Sequence, residues 1–166
     1  EKYDVGLELL EQPVPAWDLE GMALVRKSVD TLIEADESAY SMHDVMNIIR
    51  QGAADVINIK VAKAGGLYNA KKIAALAEAA GLGCVLGTAF GLGIKVAAKL
   101  HLAASTRNIM DAVEFTELLL HHSLADEPHG TSMALPLAGD GCLEVPTGPG
   151  LGVKLDEDAV ERFAVR

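Results

Sequence analysis

Only two cysteines occur in the 166 residues, Cys84 inside an apolar run and Cys142 near the C-terminal end. Two thiols do not make a disulfide framework, so unpaired cysteines and a reducing, cytoplasmic setting are expected. Positive charge is scarce as well: 14 Lys and Arg stand against 24 Asp and Glu, a net charge of −10. That balance argues against nucleic acid, which wants a basic face, and equally against an anionic membrane surface. No apolar run approaches the ~18 residues of a spanning helix. The opening EKYDVG is neither signal nor transit peptide, and it has no initiator Met, so it reads as the continuation of a longer polypeptide. Phosphate-binding GxGxxG and Walker patterns are absent, and the Gly-Pro-Gly at 148–150 reads as turn punctuation.

What the chain does have is apolar material, 50% of its residues, with a mean hydropathy of +0.23. That suffices for a buried core. Its periodicity alternates short β-type runs with longer helical ones. A strand over Val5–Leu10 precedes a helix over Leu19–Ser28, with Asp18 as N-cap. A strand over Thr31–Ala35 leads to SMHDVMNIIRQG, where Ser41 caps a helix, Val45, Ile48 and Ile49 form its apolar stripe, and Gly52 ends it. VINIK (56–60) precedes a helix over Tyr68–Ala80 stopped by Gly81. GCVLGT (83–88) precedes a helix over Ile94–Ser105, and Met110–Phe115 is the last strand. Beyond residue 120 the chain is rich in Gly and Pro and reads as a meandering tail with a short helix over Asp156–Phe163.

The strands end in polar residues at 11, 36, 60, 88 and 114, spaced by 25, 24, 28 and 26. That is the length of a βα unit, and strict alternation predicts a parallel sheet with all C-terminal strand ends on one side. In barrels and open α/β sheets alike, ligands bind at that edge. Glu11, Asp36, Lys60, Thr88 and Glu114 are expected to converge there. Glu11 and Asp36 are hard oxygen donors on neighbouring strands and suit Mg²⁺ with water and substrate oxygens, although each would also serve as a solvated loop residue or helix cap. Alternation in VINIK puts Ile57 and Ile59 towards the helices, which leaves Asn58 and Lys60 facing the interior of a barrel. A lysine placed there is a candidate general acid or base; a lysine reaching out to solvent is the alternative. Lys63, in the AKAGG turn, reads as a solvent or phosphate-type lysine. Glu114 is preferred over Glu117, because Val113 and Phe115 flank it as in a strand. His43 and His101 fall at mid-helix positions that suit satisfied or exposed side chains; His121 and His122 could line the mouth of a site.

Three linked stretches carry a family resemblance: ELLEQPVP, EADES and INIKVAKAGG, at the spacing given above. Together with GTAFGLGIKVAAKLHLAAS and PTGPGLGVKLDEDAVERF they resemble the enolase superfamily, and within it the muconate lactonizing subgroup related to mandelate racemase. The resemblance implies an α/β fold: the C-terminal portion, about strands 4–8, of a modified TIM (β/α) barrel plus a C-terminal tail. Residues 1–120 would then be a partial barrel carrying half of the active site. Residues 121–166 would be a tail packing on the barrel or on a capping domain. It further implies that Glu11 and Asp36 are the second and third ligands of an essential Mg²⁺. Lys60 would be the acid/base at the end of the sixth strand, and Glu114 an acidic group at the end of the eighth that supports the substrate's carboxylate. The implied reaction is a Mg²⁺-dependent isomerisation, whether racemisation, epimerisation or cycloisomerisation. It begins by removal of a proton alpha to a carboxylate, giving an enediolate held on the metal; syn-dehydration is a sibling.

The resemblance also places strands one to three, the first metal ligand, a Lys-x-Lys element and the capping domain outside these residues. The expected partners are therefore a small carboxylate substrate, the remainder of the barrel with its cap, and further copies of the same protein. Alone, the five-stranded piece is expected to be inactive. A non-catalytic half-barrel scaffold is the rival reading, to be separated by whether a Lys-x-Lys strand and an Asp-bearing strand lie upstream.

Overall fold

The computed structural model describes residues 6–89, 93–114, 141–154, 157, 158 and 161. Val5, Glu117, His121, His122 and most of the tail, including most of the helix expected over 156–163, lie outside the described residues; 157, 158 and 161 are helical. The chain forms two compact units, Glu1–Leu86 with Asn108–Ala112, and Gly87–Arg107 with Val113–Arg166.

The first unit is built as the βα repeat predicts. Its strands and helices run β1 (Leu9–Glu11), α1 (Leu19–Ser28), β2 (Leu32–Ala35), α2 (Met42–Gln51), β3 (Val56–Ile59), α3 (Leu67–Ala79) and β4 (Gly83–Leu86). The sheet is completed by β5 (Ile109–Val113), whose last residue falls in the second unit. Strand order is sequential, β1-β2-β3-β4-β5, and the pairings from β1 to β4 are parallel. Helix α1 packs on β2, α2 lies between α1 and α3, and α3 packs on β3 and β4. Sequential order with neighbouring helices is the winding of a barrel; a doubly wound sheet reverses its order at a switch point.

Local chemistry explains the helix limits. The Asp18 carboxylate accepts from Gly21 N at 2.8 Å, and Arg26 and Lys27 occupy the last turn of α1, where the helix dipole favours cations. Helix α2 opens with a full capping box: the Ser41 side chain accepts from Asp44 N while the Asp44 carboxylate accepts from Ser41 N. It closes on Gly52 at φ 60°, a left-handed position that glycine adopts without steric cost. The Arg26 side chain ties α1 to the start of β3 through Asp55 Oδ1 at 2.7 Å, and the other Asp55 oxygen accepts from Ile33 N at 3.0 Å.

Register decides which residues share a face. Ile57 pairs with Cys84 and Ile59 with Leu86, all four buried, and with Met22, Val45, Ile48 and Ile73 they make the buried apolar core. The alternate face carries Glu11, Glu34 and Val56, which are aligned across β1, β2 and β3. Two residues further along the strands come Asp36 and Asn58 and then Lys60, so one face collects every charged group of the first unit's strand ends. The first strand is shorter than expected and ends on Glu11 itself, with Leu7 exposed rather than buried.

In the second unit, α4 (Gly93–Ala104) runs with Val96, Ala97, Leu100 and Leu102 buried. His101 meets Leu151 O at 3.1 Å, a satisfied histidine as the sequence suggests. In the first unit His43 is exposed at the start of α2.

Candidate active site

Asp36 is the centre of the cluster. It follows β2 directly, is 2% exposed, and both of its carboxylate oxygens are held by ammonium groups. Lys60 Nζ donates to Oδ2, and Lys63 Nζ donates to Oδ1 at 2.6 Å. Burial by itself would raise the Asp36 pKa. The hydrogen bonds from Lys60 and Lys63, with the charge of Lys63, outweigh it and hold the carboxyl below its usual range. Lys60 is shifted the complementary way: burial pulls it down, but Asp36, Glu11 and Glu37 together raise it. Asp36 is thus carboxylate and Lys60 ammonium across the neutral range.

Lys63 overturns its expected place as a solvent or phosphate-type lysine. Its side chain is only 6% exposed, and its three hydrogens reach Asp36 Oδ1, Asp36 O at 2.7 Å and Asn58 O at 3.0 Å. The reason is the turn after β3. Gly66 N bonds to Val61 O and Ala64 N to Lys60 O, each at 2.9 Å, and Gly65 and Gly66 take φ of 78° and 113°. That turn curls residue 63 back over the strand ends. The Lys63 ammonium also lies 5.4 Å from the centroid of the Tyr40 ring, within cation–π range. Burial lowers the Lys63 pKa despite the opposing pull of Asp36.

Glu11 is the exposed member. Asn58 Nδ2 approaches its Oε1 at 3.4 Å, and its carboxyl reaches that of Asp36 closely enough to influence its protonation. Asn58 is fully buried, with its side-chain oxygen unsatisfied. Glu34, buried one step deeper on the same face, and Lys63 were both unmarked by the strand-end pattern.

Gln12, immediately after Glu11, is the other residue the sequence did not single out. Among the described residues it is the non-glycine with positive φ, at 38°, a conformation that costs an L-residue about 1–2 kcal/mol. Its amide is fully used: Oε1 accepts from Asp36 N at 2.9 Å and Ser38 N at 3.1 Å. Nε2 donates to Ser38 Oγ at 2.9 Å and Val14 O at 3.1 Å.

In the second unit Glu114 follows β5, is exposed, and accepts from Thr88 N at 3.0 Å through its carboxylate. Its backbone carbonyl accepts from the buried Lys99. A cleft of about 350 Å³ lined by Glu20, Ala23, Leu24, Lys27 and Gln51 holds none of these groups.

Among the described residues no set of three His, Cys, Asp or Glu side chains is arranged to hold a metal. The donors present are two hard carboxylates, and Mg²⁺ is commonly held by one or two carboxylates, with water and substrate filling the rest. Glu11 and Asp36 are of the donor type such a site uses, a cation at Asp36 Oδ2 taking the place of the Lys60 ammonium there.

The family whose members are described as enolase C-terminal domain-like matches residues 1–159. Muconate cycloisomerase 1 of Rhodococcus opacus is 40% identical over 159 residues, covering 95% of this chain and 41% of that protein. L-Ala-D/L-Glu epimerase of Clostridium acetobutylicum is 45% identical over 109 residues, 66% of this chain and 30% of that one. The solved 2-chloromuconate cycloisomerase from Rhodococcus opacus 1CP superimposes with a TM-score of 0.88 at 32% identity, over 98% of this chain and 43% of its own. The chain belongs to the enolase superfamily, in the subgroup of mandelate racemase and muconate lactonizing enzyme, and forms the C-terminal part of that family's barrel. These relatives are isomerases by name, and the chain spans less than half of their length.

Proposed function

We propose that this chain supplies the acid/base half of a Mg²⁺-dependent isomerase that moves a proton at the carbon alpha to a substrate carboxylate. The observation that carries the reading is the Lys60–Asp36–Lys63 cluster beside Glu11 at the C-terminal strand ends. Glu11 and Asp36 would hold the metal, whose chemistry is to stabilise negative charge on the substrate's carboxylate oxygens. Lys60 is the proton carrier. It rests as the ammonium because Asp36 and Glu11 raise its pKa, and reaches the amine form once the carboxylate charge beside it is neutralised. The amine then takes the alpha proton while the electron pair of the broken C–H bond moves toward the carboxylate. Return of a proton to carbon completes racemisation or epimerisation; in cycloisomerisation the same lysine works as the acid, a carboxylate oxygen adding to a conjugated double bond while the displaced pi electrons take a proton from the Lys60 ammonium at the alpha carbon. The remaining strands, the cap and the opposing acid/base belong, in this reading, to the rest of the protein.

The test uses the full-length protein with N-acyl amino acids, dipeptides and muconates in deuterated solvent. Lys60→Ala is expected to abolish deuterium incorporation alpha to the carboxylate while Mg²⁺ binding persists, and Glu11→Gln to weaken Mg²⁺ binding. Full incorporation in Lys60→Ala removes Lys60 from the chemistry; an unchanged Mg²⁺ titration in Glu11→Gln removes Glu11 from the metal site.

A further inference from the structure

We infer that Gln12 is a positioning residue that sets the spacing between Glu11 and Asp36. This rests on the metal reading just given. Glu11 and Asp36 stand on different strands, and their backbones must be locked to one another if two carboxylates are to present a fixed pair of oxygens to a cation with narrow geometric tolerance. Strand pairing gives the lock only as far as Glu11 with Glu34 and, through the backbone, Gln12 N with Glu34 O at 2.8 Å. Asp36 lies beyond that pairing.

The Gln12 side chain spans the gap. Covalently it is the next residue after Glu11, and its Oε1 takes the backbone N–H of Asp36 and that of Ser38 together. Its Nε2 holds Ser38 Oγ, which in turn donates to Ala16 O at 2.8 Å. One amide therefore joins the segment after β1 to the segment after β2, using all of its donors and its acceptor in doing so. The left-handed backbone at Gln12 is what aims the side chain across rather than along the strand, and it is held in front of Pro13, where an ordinary residue favours an extended conformation. Unfavourable backbone geometry next to a ligand residue, with every polar atom of its side chain satisfied, points to a position selected for where it holds its neighbours.

The experiment measures Mn²⁺ binding by electron paramagnetic resonance on the full-length protein, with Mn²⁺ alone and no substrate, alongside thermal melting. Gln12→Met keeps the length of the side chain and removes the amide; it is expected to raise the Mn²⁺ dissociation constant about tenfold or more, the usual effect of losing a residue that orients a ligand. Ser41→Ala, which removes the capping box of α2 and none of the cluster's hydrogen bonds, is expected to lower the melting temperature with the dissociation constant unchanged. Should Gln12→Met not fold, Gln12→Gly relaxes the backbone, removes the same amide and carries the same expectation. A folded Gln12 variant binding Mn²⁺ within twofold of the unsubstituted protein overturns the inference, as does an equal weakening in Ser41→Ala. If the unsubstituted protein binds no Mn²⁺ at all, the metal reading fails and takes the inference with it.

Discussion

Lys60 and Lys63 share one carboxylate, yet the structure predicts unequal losses of stability on removing each. In Lys63→Met three acceptors lose their donor at once: Asp36 Oδ1, Asp36 O and Asn58 O. Breaking a buried ion pair from one side costs about 3–5 kcal/mol. Here Asp36 keeps Lys60, and an ammonium whose own burial was unfavourable is gone, so the loss is reduced to about 2–3 kcal/mol. In Lys60→Met a single contact from a side chain 17% exposed is lost, and Asp36 keeps Lys63. That is worth about 1 kcal/mol, the upper part of the range for accessible pairs. At roughly 2–4 °C per kcal/mol for a domain of 150–250 residues, Lys63→Met is expected to melt roughly 4–12 °C lower and Lys60→Met about 2–4 °C lower. Thermal melts by circular dichroism, in chelator to strip divalent cations, decide it. If Lys60→Met is the more destabilised of the two, Lys63 is not the clamp and the reasoning about its three bonds is wrong.

The same pair sets a pH window. Asp36 has a depressed folded pKa, so its contribution is present above its unfolded value of about 3.9 and disappears as pH falls through the lower folded value. Lys60 has a raised folded pKa, so its contribution is full below its unfolded value of about 10.4 and is lost as pH rises through the higher folded value. In metal-free buffer, Asp36→Asn should therefore flatten the acid limb of the stability profile; an acid limb identical to that of the unsubstituted protein would rule this out. The cysteines should separate by reactivity: burial pushes the Cys84 thiol up to about 12, and Cys142 is exposed. A thiol reagent at neutral pH, read by peptide mass mapping, should label Cys142 in the native protein and Cys84 only after denaturation; labelling of native Cys84 contradicts the burial.

Much of the site was legible because the β period is simple. Once VINIK is a strand, alternation alone sends Ile57 and Ile59 one way and Asn58 and Lys60 the other, and the register agrees. Spacing placed Glu11 and Asp36 at adjacent strand ends for the same reason. Lys63 was misplaced because its position depends on a single turn with two positive-φ glycines, which carries no periodic signal. Gln12 was missed because an amide before a proline looks like turn chemistry, and its contacts arise only when β1 and β2 are laid side by side. Glu34 went unmarked since a strand-end pattern looks at the last residue and not at the one two positions deeper.

In the proposed reaction the geometry favours Lys60 over Lys63 as proton carrier. A lysine that exchanges a proton with substrate must have a hydrogen, or a lone pair after losing one, that can turn toward the substrate carbon. Lys63 has three hydrogens and three acceptors fixed by backbone and carboxylate, so losing a proton would orphan a buried acceptor and turning would break the joint between the ends of β2 and β3. Lys60 is bound at one point to Asp36, retains partial exposure, and stands on the face that also carries Glu11 and Asn58. Its proton can leave without dismantling a turn. A carrier needs a stable frame and one loose end, and on the proposed reading Lys63 would supply the frame and Lys60 the loose end.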